Sequence, residues 1–122
     1  NKINFRRVEE LRKIMVENGD VGKEVYITEG GWNDSPRWQY AVRPSKRVEY
    51  TVGAYKQALK WAWSPAVSLW ASRYPRPAYT YFDNYTFLTP DFTPKAVYLE
   101  VREYAGTRPL RLDPVPPQTE ER

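Results

Sequence analysis

The chain has 122 residues, enough for one domain or a piece of one. It is 41% hydrophobic and 16% aromatic, so it can build a core and is not disordered as a whole. Its 19 Lys and Arg are interspersed with 15 Asp and Glu, and the net charge of +4 reads as a solvated surface, not as a nucleic-acid tail.

No apolar run approaches the roughly 18 residues of a membrane span, so neither a membrane nor a nucleic acid is expected as a partner. The chain holds no Cys and no His. That excludes disulfides, thiolate nucleophiles, zinc knuckles, Ser-His-Asp triads and His general bases within it. Acid–base chemistry must come from Asp, Glu, Lys or Tyr. The Walker phosphate loop and the GxGxxG fingerprint are both missing. Asn1 is not an initiator Met. The chain is therefore expected to start after processing or inside a longer protein, and a missing signal peptide says nothing about compartment.

Residues 4–18 read as a helix, with Phe5, Val8, Leu11 and Met15 at helical spacing and charges between them. Asn18-Gly19 is a C-terminal stop. Residues 24–29 follow as a short strand. Its period of two sends Val25, Ile27 and Glu29 one way and Tyr26 and Thr28 the other. A carboxylate at the tip of an apolar face is costly unless solvent, a partner or a function accounts for it. Gly30 and Gly31 then let the backbone turn sharply or let a ligand approach. Glu29 is the central candidate for a catalytic carboxylate, against the plainer reading of a surface Glu at a strand end.

Residues 30–44 form a loop containing Trp32, Asp34, Trp38 and Tyr40. A second helix is expected over about 45–62, capped by Ser45, with Val48, Val52, Tyr55, Leu59 and Ala62 inward and Ala54 and Ala58 beside them. Pro65 prevents its continuation. Residues 66–72 read as a second strand, covered on both faces. Residues 73–92 make a long aromatic loop with Tyr74, Tyr79, Tyr81, Phe82, Asp83, Asn84 and Tyr85. Loops of this length are often functional. A last helix is expected over 94–105, with Thr93 as cap, Pro94 first, Val97, Val101 and Tyr104 inward, and Gly106 as its end. Residues 107–122 are Pro-rich and charged and read as an extended arm or a disordered tail. Strand–helix–strand implies a parallel pair, which occurs almost only in larger α/β sheets.

The ordered motifs carry a resemblance. Lys23 to Trp32, K-E-V-Y-I-T-E-G-G-W, resembles the seventh strand of clan A glycoside hydrolases, where an ITE.GW-like segment carries the nucleophile. A helix with Arg47, Tyr50, Tyr55 and Ala58 corresponds to the one that follows that strand, and Trp70 near the end of 66–72 resembles the strand-eight Trp that stacks on sugar. Thr93-Pro94-Lys95-Ala96-Val97-Tyr98 resembles the sPKPAY start of the closing helix, without its second Pro. Gly30 stands where the family often has Phe.

Over residues 1–106 the resemblance implies the C-terminal part of a (β/α)8 TIM barrel, an α/β fold, incomplete in this chain, with 107–122 as a tail. The partner it implies within the protein is the remainder of the barrel. The activity it implies is hydrolysis of O-glycosidic bonds with retention, on an oligosaccharide, polysaccharide or glycoside. Glu29 would be the nucleophile, and an acid/base Glu would lie upstream of this chain. Such enzymes use two carboxylates about 5–5.5 Å apart, and the resemblance implies that the chemistry needs no metal or cofactor.

Trp70, Trp32, Asp83 and Tyr81 are the candidate sugar-binding residues. Indole faces stack on sugar C–H faces, while a Trp can equally be core and a loop aromatic can simply anchor its loop. Asp83 and Asn84 also suit plain turn chemistry. Arg73 and Arg76 are weaker candidates, for an acidic sugar. Two other classes stay open: a non-catalytic carbohydrate-binding barrel, and a small free-standing α/β interaction domain that pairs its strands with another copy.

Overall fold

A computed structural model describes residues 4–74 and 79–107. The Pro-rich tail and Arg76 lie outside them. The first element is a 3-10 turn at Phe5–Arg7 running into α1, Val8–Glu17. Asn4 caps the turn by accepting from the Arg6 N–H at 2.9 Å. Asn18 caps the other end and Gly19 takes φ +89°, the left-handed conformation that glycine adopts without cost. None of the α1 residues is fully buried, and Leu11 and Ile14 are exposed. The helix is held by its ends. Phe5 stacks on Trp61 at 5.5 Å, and Glu9 accepts from the Trp61 indole at 2.9 Å. Arg12 donates to the carbonyls of Val21 and Lys23 at 2.6 Å each.

α2 spans Pro44–Ala58. Pro44 takes the first helical position, where its missing N–H costs nothing, so the helix starts one residue before the expected Ser45 cap and Arg43 is the N-cap. Its buried positions are Arg47, Thr51, Ala54 and Ala58. The inward face is therefore rotated away from the expected Val48–Val52–Tyr55–Leu59 stripe, and Leu59 is exposed. The reason is what α2 meets. Arg47 is drawn inward by a set of oxygens, and Thr51, Ala54 and Ala58 are buried on the same face of the helix. α3 spans Ala96–Gly106 and packs on α2. Val97 is buried, while Val101 and Tyr104 are half-buried. Pro94 is not its first residue. It bridges antiparallel to Leu88, and Lys95 becomes the N-cap.

The expected α/β barrel portion is overturned. The structure is 43% helical and 4% strand, with no sheet among the described residues. The stretches 24–29 and 66–72 do lie side by side, joined by Ile27 N–H to Ala66 O at 3.1 Å and Ser68 N–H to Ile27 O at 2.7 Å, and Val25 N–H donates to Trp63 O, just before the second stretch, at 2.9 Å. Among the described residues only Ile27 and Val67 form a parallel bridge, and that bridge is isolated. Parallel ladders are stable when neighbouring strands and covering helices bury both faces. Here no third strand extends the pair among the described residues: beyond it, the Ala71 and Ser72 carbonyls accept from the Phe87 and Leu88 N–H groups, and Tyr26, Thr28, Ala66 and Ser68 face solvent.

What takes the place of a sheet is a buried polar hub. The Arg47 side chain is 2% exposed, pairs with Asp34 at 3.1 Å and donates to the carbonyls of Tyr85 and of Thr86, the latter at 2.8 Å. Asn33, also buried, donates to Tyr81 O at 3.0 Å and accepts from Ser35 N–H at 2.7 Å. Lys95 donates to Asp83 O and to Thr86 Oγ1. These bonds clamp loop 30–43, α2 and loop 79–95 together. Arg47→Met keeps the stem but strands Asp34 and two carbonyls. It should lower the free energy of unfolding, measured by urea titration, by about 3–5 kcal/mol. Arg6→Met, which removes an exposed ion pair, should leave the midpoint nearly unchanged.

Candidate functional site

The candidate site forms where the first extended segment ends against the second. The Trp70 N–H donates to Gly30 O at 2.6 Å. Gly31 has φ +144°, and a Cβ there would stand 2.8 Å from Trp70 O. Only glycine allows both the conformation and the approach. Glu29 sits immediately before this contact and is exposed. None of the ion pairs among the described residues involves it. The Trp70–Ala71 peptide is cis.

Trp70 is 37% exposed and is backed by other rings. It meets Tyr74 edge-on at 5.5 Å and Phe82 at 6.4 Å, and it tilts against Tyr85 at 5.7 Å. Tyr74 stacks on Phe82 at 4.7 Å. The 3-10 turn Tyr81–Asn84 delivers these rings. It is fixed by a capping box, with Thr80 N–H donating to Asp83 Oδ2 at 2.9 Å. Tyr81 contacts Phe82 at 4.8 Å, Tyr85 at 5.9 Å and Trp38 at 5.8 Å. The result is a continuous aromatic surface, one end of which adjoins the Glu29 backbone.

The sequence candidates are thus sorted. Glu29 and Trp70 lie on directly bonded segments, and Tyr81 joins the Trp70 rings through Phe82. Asp83 is buried as the cap of its turn, and its Oδ1 is buried without a hydrogen-bond partner among the described residues. It holds the loop's shape and presents no open carboxylate. Trp32 points elsewhere, against Phe5 at 6.3 Å and Tyr50 at 5.7 Å. There it lines an open groove of about 1430 Å³ that Trp38 and Tyr40 share. Asn84 lies in the turn, donating to Tyr81 O at 3.4 Å, and Arg73 is bonded to Pro90 O at 3.1 Å.

The supports beneath the rings were not singled out from sequence. Arg47 was read only as a helix residue, and Lys95 only as part of a motif. Arg47 meets loop carbonyls nearly forty positions away along the chain, a pairing that no local spacing reveals. Lys95 carries the electrostatic mark of this setting. Burial pushes its ammonium below the ordinary lysine value and the Arg47 charge adds to this, while Asp34 and Asp83 act against both. Among the described residues no cluster of acidic side chains is arranged to hold a metal ion. Compared with known protein families, curated proteins and solved structures, the chain finds no match in any of the three.

Two predictions follow from this geometry. Burial, and then the Tyr81 hydroxyl, push the Tyr85 phenol up to about 12. A raised phenol favours the neutral form in the fold, so its contribution is whole below the ordinary value of about 10. It is lost as pH rises from there through about 12. Urea midpoints measured across that window should fall for the wild type relative to Tyr85→Phe. The second prediction contrasts two glycines. Gly31→Ala should destabilise by about 1–3 kcal/mol through strain and the clash with Trp70 O. Gly53→Ala, inside α2 with open space at its Cβ, should stabilise by up to about 1 kcal/mol. Thermal unfolding of both variants checks the contrast.

Proposed function

We propose that this chain supplies the nucleophile side of a retaining glycoside-hydrolysing site, with the second carboxylate coming from outside the chain. The observation that carries the reading is the Trp70 N–H to Gly30 O bond, which joins the residue after the exposed Glu29 to the backbone of Trp70, whose exposed indole is backed by Tyr74, Phe82 and Tyr85. Stacked aromatic faces suit the apolar C–H face of a sugar ring, and hydroxyls suit a carboxylate acceptor. The ordered motif around Glu29 points the same way. The barrel geometry expected with that motif plays no part in the reading.

In the reaction, a Glu29 oxygen forms a bond to the anomeric carbon while the glycosidic C–O bond breaks. The leaving oxygen takes a proton from the second carboxyl group. Water then gives its proton to that carboxylate, attacks the same carbon and releases Glu29 with net retention. Asp34 is held by Arg47 and Asp83 caps a turn, so neither is free to be the second group. That same observation favours a second reading, in which the surface binds saccharide without cleaving it.

Incubation of the protein carrying this chain with a panel of 2-fluoro glycosides, followed by peptide mass spectrometry, separates the two. Hydrolysis predicts a covalent sugar on Glu29, no adduct with Glu29→Gln, and a loss of turnover of about 10³-fold or more in that variant. An adduct on a different carboxylate would overturn the assignment of Glu29. Saccharide binding that survives Glu29→Gln, with no adduct and no turnover, selects the binding-only reading. Trp70→Ala should weaken saccharide binding roughly tenfold under either reading, the scale of one lost ring contact.

A further inference from the structure

Phe5, Trp32, Trp38, Tyr40 and Tyr50 give the open groove of about 1430 Å³ a wall of rings. Neighbouring rings are tilted. Phe5 and Trp32 stand 6.3 Å apart at 44°, and Trp32 and Tyr50 stand 5.7 Å apart at 49°. The charges at the groove already have partners: Glu49 pairs with Lys46 at 2.6 Å, and Arg6 pairs with Glu9 at 2.9 Å. An occupant therefore meets chiefly ring surface. An apolar surface of this extent, open to water, marks an interaction site. Neither Glu29 nor Trp70 lines it, and the inference does not use the saccharide reading.

The chain carries a segment of matching chemistry. Residues 109–117, which lie outside the described residues, are Pro, Leu or Val except for Arg111 and Asp113. Pro109, Pro114, Pro116 and Pro117 do not suit a helix interior, and they lack backbone N–H donors. Proline-rich segments favour the polyproline II helix, which is preformed and docks in aromatic-lined grooves without a hydrogen-bonded edge. With a rise of about 3.1 Å per residue, Pro114 and Pro116 would stand about 6 Å apart, close to the spacing of the rings. The groove is also within reach. α3 ends at Gly106, and its Tyr104 ring lies 5.4 Å from the Lys56 ammonium of α2. Gly53 and Gln57, on the turn that carries Lys56, line the groove. Residues 108–113, when extended, cover about 19 Å, more than the breadth of a helix, about 10–12 Å. We propose that residues 109–117 of this chain occupy the groove, with Pro114, Pro116 and Pro117 packed on the rings of Trp32, Trp38, Tyr40 and Tyr50.

Trypsin cleavage after Arg111 in the full chain tests it, followed by mass spectrometry of the released peptide 112–122. Each rate is normalised to that of the free synthetic peptide 108–122 of the same sequence. A short tether holds the segment at an effective concentration of about 1 mM, so a dissociation constant of about 0.1 mM keeps the docked form about tenfold in excess. Wild type should be cut about tenfold more slowly than the chain with Pro114→Ser, Pro116→Ser and Pro117→Ser. Tyr40→Ala should speed cleavage about threefold or more. Tyr79→Ala, which removes a still more exposed ring outside the groove, should leave the rate unchanged. A wild type cut as fast as the triple variant, or Tyr40→Ala and Tyr79→Ala acting alike, overturns the proposal. Protection that grows with protein concentration also overturns it, since the occupant is then the segment of a second copy.

Discussion

The Arg47 guanidinium is the constraint on which the rest of the structure depends. A charge buried to 2% exposure is tolerable only if its donors are matched, and Asp34, Tyr85 O and Thr86 O match them. The fork geometry of arginine lets one side chain reach a carboxylate and two carbonyls together. Because these acceptors belong to two different loops, satisfying one cation positions both. Asn33 repeats the device on a smaller scale by donating to Tyr81 O. The loops gain their shape from buried polar contacts where a larger protein would use a sheet.

The aromatic surface depends on this hub. Tyr81, Phe82 and Tyr85 sit on a turn whose carbonyls Asn33 and Arg47 hold, so their rings are placed before any ligand arrives. Binding rings that are already ordered loses less conformational entropy on association than rings that must be fixed on contact. Trp70 reaches the same surface from the other side, through a backbone contact that Gly31 alone permits. The exposed Glu29 directly precedes that contact in the chain, which is the observation the proposed saccharide reading starts from. Lys95 and Arg47, two cations side by side beneath that platform, are offset by Asp34 and Asp83. Both acidic groups are thus committed to the support.

Local signals were read well where local physics governs. The end of α1 at Asn18-Gly19, the inward Val97 and the end of α3 near Gly106 all follow from capping and periodicity within a few residues. Errors came where partners far along the chain decide. α2 turns Arg47 inward because the Asp34 carboxylate and two loop carbonyls meet it there, whereas the apolar stripe favoured the neighbouring face. The apolar runs at 24–29 and 66–72 have the composition of buried parallel strands, yet composition cannot supply the neighbouring strands that would extend one bridge into a sheet. Helices and isolated bridges are what these residues form among themselves.

The residue identities alone were enough to exclude thiol and imidazole chemistry within the chain and to nominate Glu29 and Trp70 as candidates, with Gly30 and Gly31 as the turn that follows the carboxylate. Those properties reside in the chemistry of side chains and in spacings of a few residues. That Trp70 lies on the Gly30 carbonyl, that Asp83 is a cap, that Trp32 turns into the groove, and that Arg47 underlies the rings were decided by folding. Each is a contact between residues remote in sequence, and its energy exists only once the loops, α2 and α3 exclude water from the space between them.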